Sequence, residues 1–334
     1  MSAECIDGVR IRGKILSWIE QSLAGEARHH GPPGLAVIRV GEDPASVAYI
    51  RQKRRAAESL GYAYREWVFE SSIAENELIR QIERLNRDPE IHGVLVQLPL
   101  PGHLSPERLV TAIAPEKDVD GLHPVNAGRL FQGLPGPRPC TPLGVMVLLE
   151  DIGFDPVGKR AVIVGRSNIV GKPMAMMLLA ANATATLCHR YSELPDTLRQ
   201  ADLVVAAVGS PGCIRGEWIK PGAVVVDVGI NRIDGRLIGD VDFEAAAERA
   251  SHITPVPGGV GAITVAMLMR NTYEAWQLQT ARHAEFSAPS HRSRPRTPHS
   301  PVHPPHGRTS SHVTGFEGRH DFIPPTTKNK GVPS

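Results

Sequence analysis

From about Gly34 onward, short β-branched apolar runs alternate with longer amphipathic stretches, and this alternation constrains the fold more than any other feature of the chain. Four to eight apolar residues suit a buried strand, a 3.6-residue period suits a helix, and alternation of the two implies parallel strands joined by crossover helices. In a first series, GLAVIRV (34–40) and GVLVQLP (93–99) read as strands and PASVAYIRQKRRAAESLGY (44–62) as a helix, with Asp43 as its N-cap and Pro44 in its first turn. A second series runs from RAVIVG (160–165) through ATATLCH, ADLVVAAVG and GAVVVDVG. The expected fold class is α/β: two α/β domains with parallel sheets, joined by long helices. LGVMVLLEDIGF (143–154) and AITVAMLMRNTYEAW (262–276) have helical periodicity and flank the second domain. The predicted boundaries are therefore 1–142 for the first domain, completed by a returning helix at about 262–278, and 143–261 for the second. From 279 to 334 the composition shifts to Pro, His, Ser and Arg without periodicity, as expected of a disordered tail.

Several classes of function are disfavoured. At 334 residues the chain can bury two ordinary cores, and its 41% hydrophobic and 22% charged content is that of a globular protein. The net charge is +2, but residues 281–334 hold eight Lys or Arg against three Asp or Glu, so residues 1–280 carry −3. A basic surface for nucleic acid is not expected on the folded part. Cys5, Cys140, Cys188 and Cys213 lie far apart without metal or redox spacing, so no metal site is expected. The opening residues lack a continuous apolar stretch, and no uncharged apolar run would span a bilayer. The expectation is a cytoplasmic protein with no membrane partner.

Candidate chemistry concentrates at strand ends. VIVGRSNIVGKPMA puts Gly165, Arg166, Ser167 and Gly171 between a strand and a helix, where backbone N–H groups and the positive helix end bind a dinucleotide phosphate. The spacing departs from G-x-G-x-x-G, since Ser167 replaces the second glycine, and an ordinary βα turn would carry similar residues. The next strand ends in Cys188, His189, Arg190, Tyr191 and Ser192, with no acidic residue for a ribose 2′-hydroxyl. Arg190 there is either a reader of a 2′-phosphate or a solvated surface arginine.

In the first domain, Tyr49 and Lys53 share a helix face, as pocket residues or as a core edge with a snorkelling amine. Gln97 ends a buried strand, facing the ligand crevice or anchoring a loop. Asp118 and Asp120 fall in a turn, and Asp120 suits an Asx-turn equally well. Pro255, Pro257, Gly258, Gly259 and Gly261 precede a helix and suit close backbone approach to a ligand or a tight connection. The Leu98–Pro99 and Val256–Pro257 bonds are candidate cis peptides.

Together, DPASVAYIRQKRRAAESLG, GVLVQLPLP, PEKDVDGLHPVNAGRL, PCTPLG, GRSNIVGKPMA, VDVGIN, GDVDF and TPVPGGVG resemble the methylenetetrahydrofolate dehydrogenase/cyclohydrolase family, in the family's order, up to about residue 278. The resemblance implies a folate cleft between a catalytic domain and a Rossmann-like NADP domain, tetrahydrofolate derivatives as substrates and a homodimer. It implies that Tyr49 packs on substrate, that Lys53 serves cyclohydrolase chemistry with Gln97 as its partner, and that Asp120 grips the pterin. Val96, Leu98, Pro255, Pro257, Gly258 and Gly259 would complete the substrate pocket. Gly165, Arg166, Ser167, Arg190 and Ile230 would hold NADP. Ala262 and Ile263 depart from a common Pro-Met at the pocket rim, and His189-Arg190-Tyr191 departs from a common His-Ser-Arg. A dehydrogenase without cyclohydrolase activity would be expected to lack Lys53 or Gln97, and both are present, whereas a non-catalytic folate or NADP binder would keep the binding residues without turnover. Because the tail lacks the apolar content to join a core, a chain ending near Thr280 is expected to keep its fold and its turnover. Loss of either would place tail residues in the folded unit.

Overall fold

The computed structural model describes residues 2–287. In chain order its elements are β1 (Glu4–Cys5), α1 (Gly8–His30), β2 (Gly34–Val40), α2 (Pro44–Ser59), β3 (Ala63–Phe69), α3 (Glu75–Arg87), β4 (Gly93–Val96), α4 (Pro106–Ala112), α5 (Pro124–Phe131) and α6 (Cys140–Asp151). The second half comprises β5 (Arg160–Val164), α7 (Gly171–Ala180), β6 (Thr184–Cys188), α8 (Leu194–Leu198), β7 (Leu203–Ala206), β8 (Val224–Asp227), β9 (Asn231–Ile233), β10 (Arg236–Ile238), α9 (Phe243–Ala247), β11 (His252–Ile253) and α10 (Val260–Ser287).

The first sheet has the order β3-β2-β4, all parallel. Its central strand β2 is almost wholly buried, which is why GLAVIRV is apolar throughout rather than alternating. Asp43 caps α2 as expected, accepting from the Ser46 N–H at 2.8 Å, with Pro44 in the first turn. AYREWVF, which the strand reading passed over, is the half-buried edge strand β3, where polar residues are tolerated.

The second sheet has the order β1-β11-β8-β7-β5-β6, and every pairing is parallel. Strand β5 has β6 on one side and β7 on the other, so the direction of winding reverses there. The carboxyl ends of β5 and β7 therefore open into a crevice at the switch point. Residues Glu4 and Cys5 form the far edge of this sheet through β11, although the boundary drawn from sequence put them with the first domain. Two residues are too few to show strand periodicity, so only the pairing reveals them.

Helices α1, α6 and α10 join the two sheets. Ile11, Ile15, Ile19 and Leu23 repeat every four residues on the buried face of α1, and nine residues of α6 are buried. A Cβ on Gly144 would come within 2.8 Å of the Ile263 side chain, so a glycine is what lets α6 and α10 approach. Ile263 is thus a buried helix-packing residue and not part of a pocket rim. Helix α10 continues to Ser287, nine residues beyond the predicted 278. The segment 279–287 lacks a strong apolar stripe but has no proline before Pro289, and Ala, Arg and Glu favour helix. A cut at Thr280 would remove its last seven helical residues yet keep Gln279, whose Nε2 donates to the His92 carbonyl at 2.9 Å. The remaining tail, 288–334, lies outside the described residues.

Buried Asn271 ties α10 to the catalytic half, because its Nδ2 donates to the carbonyls of Val119 at 2.8 Å and Arg138 at 2.9 Å. Removing this donor leaves two backbone acceptors short of a partner. Asn271→Ala is expected to lower stability by about 1–3 kcal/mol, read as a shift of the urea midpoint at constant slope. An unshifted midpoint would mean that water replaces the amide without cost.

Candidate active site

A cleft of about 300 Å³ opens between the two domains, lined from the first by Ser46, Tyr49, Lys53, Val96, Gln97, Leu98 and Asp120, and from the second half by Cys140, Thr141, Ile169, Val170 and Thr264. Helix α2 supplies Ser46, Tyr49 and Lys53 from one face, since residues three, four and seven apart are neighbours on a helix. Strand β4 ends at Val96 and delivers Gln97 at the carboxyl edge of the sheet.

Lys53 is only 8% exposed, and its Nζ donates to Gln97 Oε1 at 2.9 Å. Gln97 Nε2 donates to the Leu98 carbonyl at 2.6 Å, which fixes which end of the amide faces the lysine. The Lys53 ammonium also stands 5.8 Å from the centre of the Tyr49 ring. Burial pushes the Lys53 amine below the usual lysine range, against the opposing pull of Asp120 and Cys140. Burial likewise raises the Asp120 carboxyl, with Lys53 pulling it down and Asp118 adding to the rise. The Cys140 thiol, pushed well up by burial and by Asp120, stays protonated.

The two turn aspartates part company. Asp118 is buried and accepts from the backbone N–H of Leu122 at 3.2 Å and His123 at 2.8 Å, and from Asn126 Nδ2 at 2.9 Å. It organises the turn, which leaves Asp120 as the carboxylate of the cleft. Leu98–Pro99 and Val256–Pro257 are both cis. Pro255, Pro257, Gly258 and Gly259 do not line the cleft. The 258–259 segment instead packs on the start of α1, where a Cβ on Gly8 would lie 2.1 Å from the Gly259 carbonyl oxygen. Pro255 lines a separate cavity of about 520 Å³ with Asp227 and Phe243. Of that segment, Gly261 comes nearest the cleft, its Cβ position lying 3.9 Å from the Tyr49 hydroxyl and 3.2 Å from Ile230 Cδ1.

Ser46, Cys140, Thr141 and Thr264 were not singled out from sequence. Ser46 could have been found by helical spacing from Tyr49 and Lys53. The Thr141 and Thr264 hydroxyls meet at 3.3 Å across 123 positions, which no local pattern reveals.

The crevice of the second sheet is built for close approach. Gly165 has φ +134°, and a Cβ there would lie 2.1 Å from the Ala207 carbonyl oxygen; one on Gly171 would lie 1.9 Å from that of Gly165. Ser167, standing where the standard pattern has glycine, closes the turn that leads into α7, its hydroxyl accepting from the Val170 N–H at 3.1 Å. The Gly165 N–H donates to the Cys188 carbonyl at 2.9 Å, so the turn lies beside the segment carrying Arg190. Arg166 and Arg190 are exposed, and the Arg190 guanidinium stacks 4.7 Å from the Tyr191 ring centre. Arginines with no acidic residue at the end of β6 fit a dinucleotide bearing a 2′-phosphate.

A glycine-turned crevice on an open parallel sheet, facing a cleft that holds a buried lysine and a carboxylate, defines a two-domain nucleotide-dependent enzyme. A profile for the tetrahydrofolate dehydrogenase/cyclohydrolase catalytic domain matches residues 6–120, and one for the NAD(P)-binding domain of the same name matches 139–280. The chain therefore belongs to the tetrahydrofolate dehydrogenase/cyclohydrolase family. It is 56% identical over 277 residues to the bifunctional protein FolD 2 of Myxococcus xanthus, covering 82% of this chain and 96% of that protein. The bifunctional FolD methylenetetrahydrofolate dehydrogenase/cyclohydrolase of Campylobacter jejuni superposes with a TM-score of 0.81 at 45% identity, covering 83% of this chain and 100% of that one. The Trypanosoma brucei enzyme, solved with NADP cofactor and inhibitor, superposes with a TM-score of 0.80 at 40% identity, covering 84% and 99%.

A charge-assisted hydrogen bond to a phosphate is worth about 1.5–3 kcal/mol, so Arg190→Ala is expected to weaken NADP⁺ binding roughly ten- to hundredfold and leave NAD⁺ use nearly unchanged. Equal losses with both cofactors would show that Arg190 does not read the 2′-phosphate.

Proposed function

We propose that this cleft oxidises 5,10-methylenetetrahydrofolate to the methenyl form with NADP⁺ and then hydrolyses the methenyl form to 10-formyltetrahydrofolate, both within one pocket. The observation that carries the reading is the hydrogen bond from buried Lys53 to Gln97 beside Asp120. Bound NADP⁺ supplies the hydride acceptor, and Gly165, Arg166, Ser167, Arg190 and Ile230 are the residues that would hold it.

The chain's own groups orient the folate and handle the proton. Asp120 can accept paired N–H donors from a pterin, a bidentate arrangement that sets its direction in the cleft. Tyr49 offers a half-buried ring for the flat heterocycle to pack against. Val96 and Leu98 supply apolar walls. After hydride loss the substrate carries positive charge, which adds to burial in disfavouring the Lys53 ammonium. Neutral Lys53 takes a proton as water adds to the methenyl carbon, and Gln97 Oε1 holds the amine in place for that transfer. Hydride transfer moves no proton to the protein, so it makes no demand on this base.

The reading includes a homodimer in the cytoplasm, with the open edge of β3 as a surface that a second copy could use. Light scattering of the purified chain should give twice its 36.1 kDa mass, and a monomer would remove that part of the reading.

Lys53→Met keeps the stem and removes the amine. Loss of a general base costs about 10²–10⁴-fold, so cyclohydrolase turnover should fall by at least that lower bound while dehydrogenase activity remains and methenyltetrahydrofolate accumulates. Parallel loss of both activities in a folded protein would reduce Lys53 to substrate positioning. Because burial lowers the Lys53 pKa, its neutral fraction grows as pH rises through that lowered value. The wild-type cyclohydrolase rate should therefore climb with pH over that range, and this limb should vanish in Lys53→Met. A limb that survives the substitution belongs to another group.

A further inference from the structure

Away from the Lys53 cleft, two buried carboxylates, Asp227 at the end of β8 and Asp240 after β10, lie close together, linked by the Asp240 N–H. Asp240 is fully buried and accepts four hydrogen bonds. Its Oδ2 takes the Val208 N–H at 2.6 Å and the Gly209 N–H at 2.9 Å, and its Oδ1 takes the Ser210 N–H at 2.8 Å and Asn231 Nδ2 at 2.9 Å. Three of the donors are consecutive amides of the segment leaving β7. The fourth comes from the first residue of β9, just after the corner that follows β8. Asp227 braces this arrangement, accepting from Gly229 N–H at 2.9 Å, Asp240 N–H at 3.0 Å and Val241 N–H at 2.9 Å. The corner is also closed sterically, since a Cβ on Gly229 would lie 2.3 Å from Asp240 Cγ.

Consecutive amides converging on one anion are the way a chain normally binds phosphate. Here a side chain of the protein fills that role, and the two segments it gathers leave the carboxyl ends of β7 and β8. One begins at Ala207, whose carbonyl sets the clearance at Gly165. The other contains Ile230, which reaches toward Gly261 beside Tyr49. Asp240 itself lines neither the folate cleft nor the cavity beside Phe243.

We propose that Asp240 is a positioning residue for the cofactor: its buried carboxylate holds segment 207–210 and corner 229–231 at the separation that admits NADP⁺, without touching folate or the reacting atoms. The proposal rests on the crevice being the NADP site. Asp240→Asn keeps the shape but turns an amide N–H₂ toward backbone donors, whereas Asn231→Ala removes a single donor. Both are made in the full chain, and NADP⁺ binding is measured by titration calorimetry, with no turnover required. The Kd is expected to rise about tenfold or more for Asp240→Asn and by roughly threefold to tenfold for Asn231→Ala. KM for NADP⁺ should follow, while kcat at saturation changes by less than about twofold. Hydrolysis of methenyltetrahydrofolate supplied without cofactor should persist. An unchanged Kd in folded Asp240→Asn overturns the proposal, as does an equal loss of cofactor-free hydrolysis, which would mark a general structural role. If Asp240→Asn does not fold, Asn231→Ala decides, and an unchanged Kd there is fatal. A wild-type chain that fails to bind NADP⁺ would instead sink the assignment of the crevice, before any variant is compared.

Discussion

The active cleft depends on the packing of α10 between α1 and α6. This helix, 28 residues and about 42 Å long, carries Thr264 at the cleft near one end and Gln279 against the first domain near the other. Its contact with α6 is made at Gly144, where any side chain would strike Ile263, and its register is set by Asn271 donating to two carbonyls of the catalytic half. Apolar burial supplies the adhesion but is indifferent to small slides. The directional amide is not, and that register also places Thr264 opposite Thr141.

Within the cleft, desolvation outweighs charge attraction for both ionisable partners. Lys53 is lowered and Asp120 raised, although each pulls the other the opposite way. The pair therefore sits closer to its neutral forms than a surface pair would, so changing the protonation state of Lys53 costs less than for a lysine in water. Gln97 can hold the amine in either state, because its carbonyl is a neutral acceptor. Cys140 adds no anion, since the same burial keeps its thiol protonated.

The cofactor side uses a different economy, in which backbone shape matters more than side-chain charge. Gly165 and Gly171 permit approaches that any Cβ would block, and Ser167, in place of the standard glycine, closes the turn before the helix by accepting from the Val170 N–H. The departure from G-x-G-x-x-G thus has a local cause. Arg166 at the turn and Arg190 at the end of β6 are exposed and put positive charge beside that backbone.

The sequence by itself determined whatever depends on neighbours along the chain. Strand and helix periods, the Asp43 cap, the shared face of Tyr49 and Lys53 and the glycine turn at 165 are local, because side-chain direction follows from a period of two or 3.6. Tertiary structure decided which distant segments meet. It paired Lys53 with Gln97, assigned the turn to Asp118 and the cleft to Asp120, and buried Ile263 between helices. It also set Gly258 and Gly259 against Gly8, and brought Glu4 and Cys5 to the second sheet. A proline-glycine run reads the same whether the backbone approaches a ligand or another helix, and two strand residues have no period at all. Only the crossing of helices and the pairing of strands far apart in the chain resolve those choices.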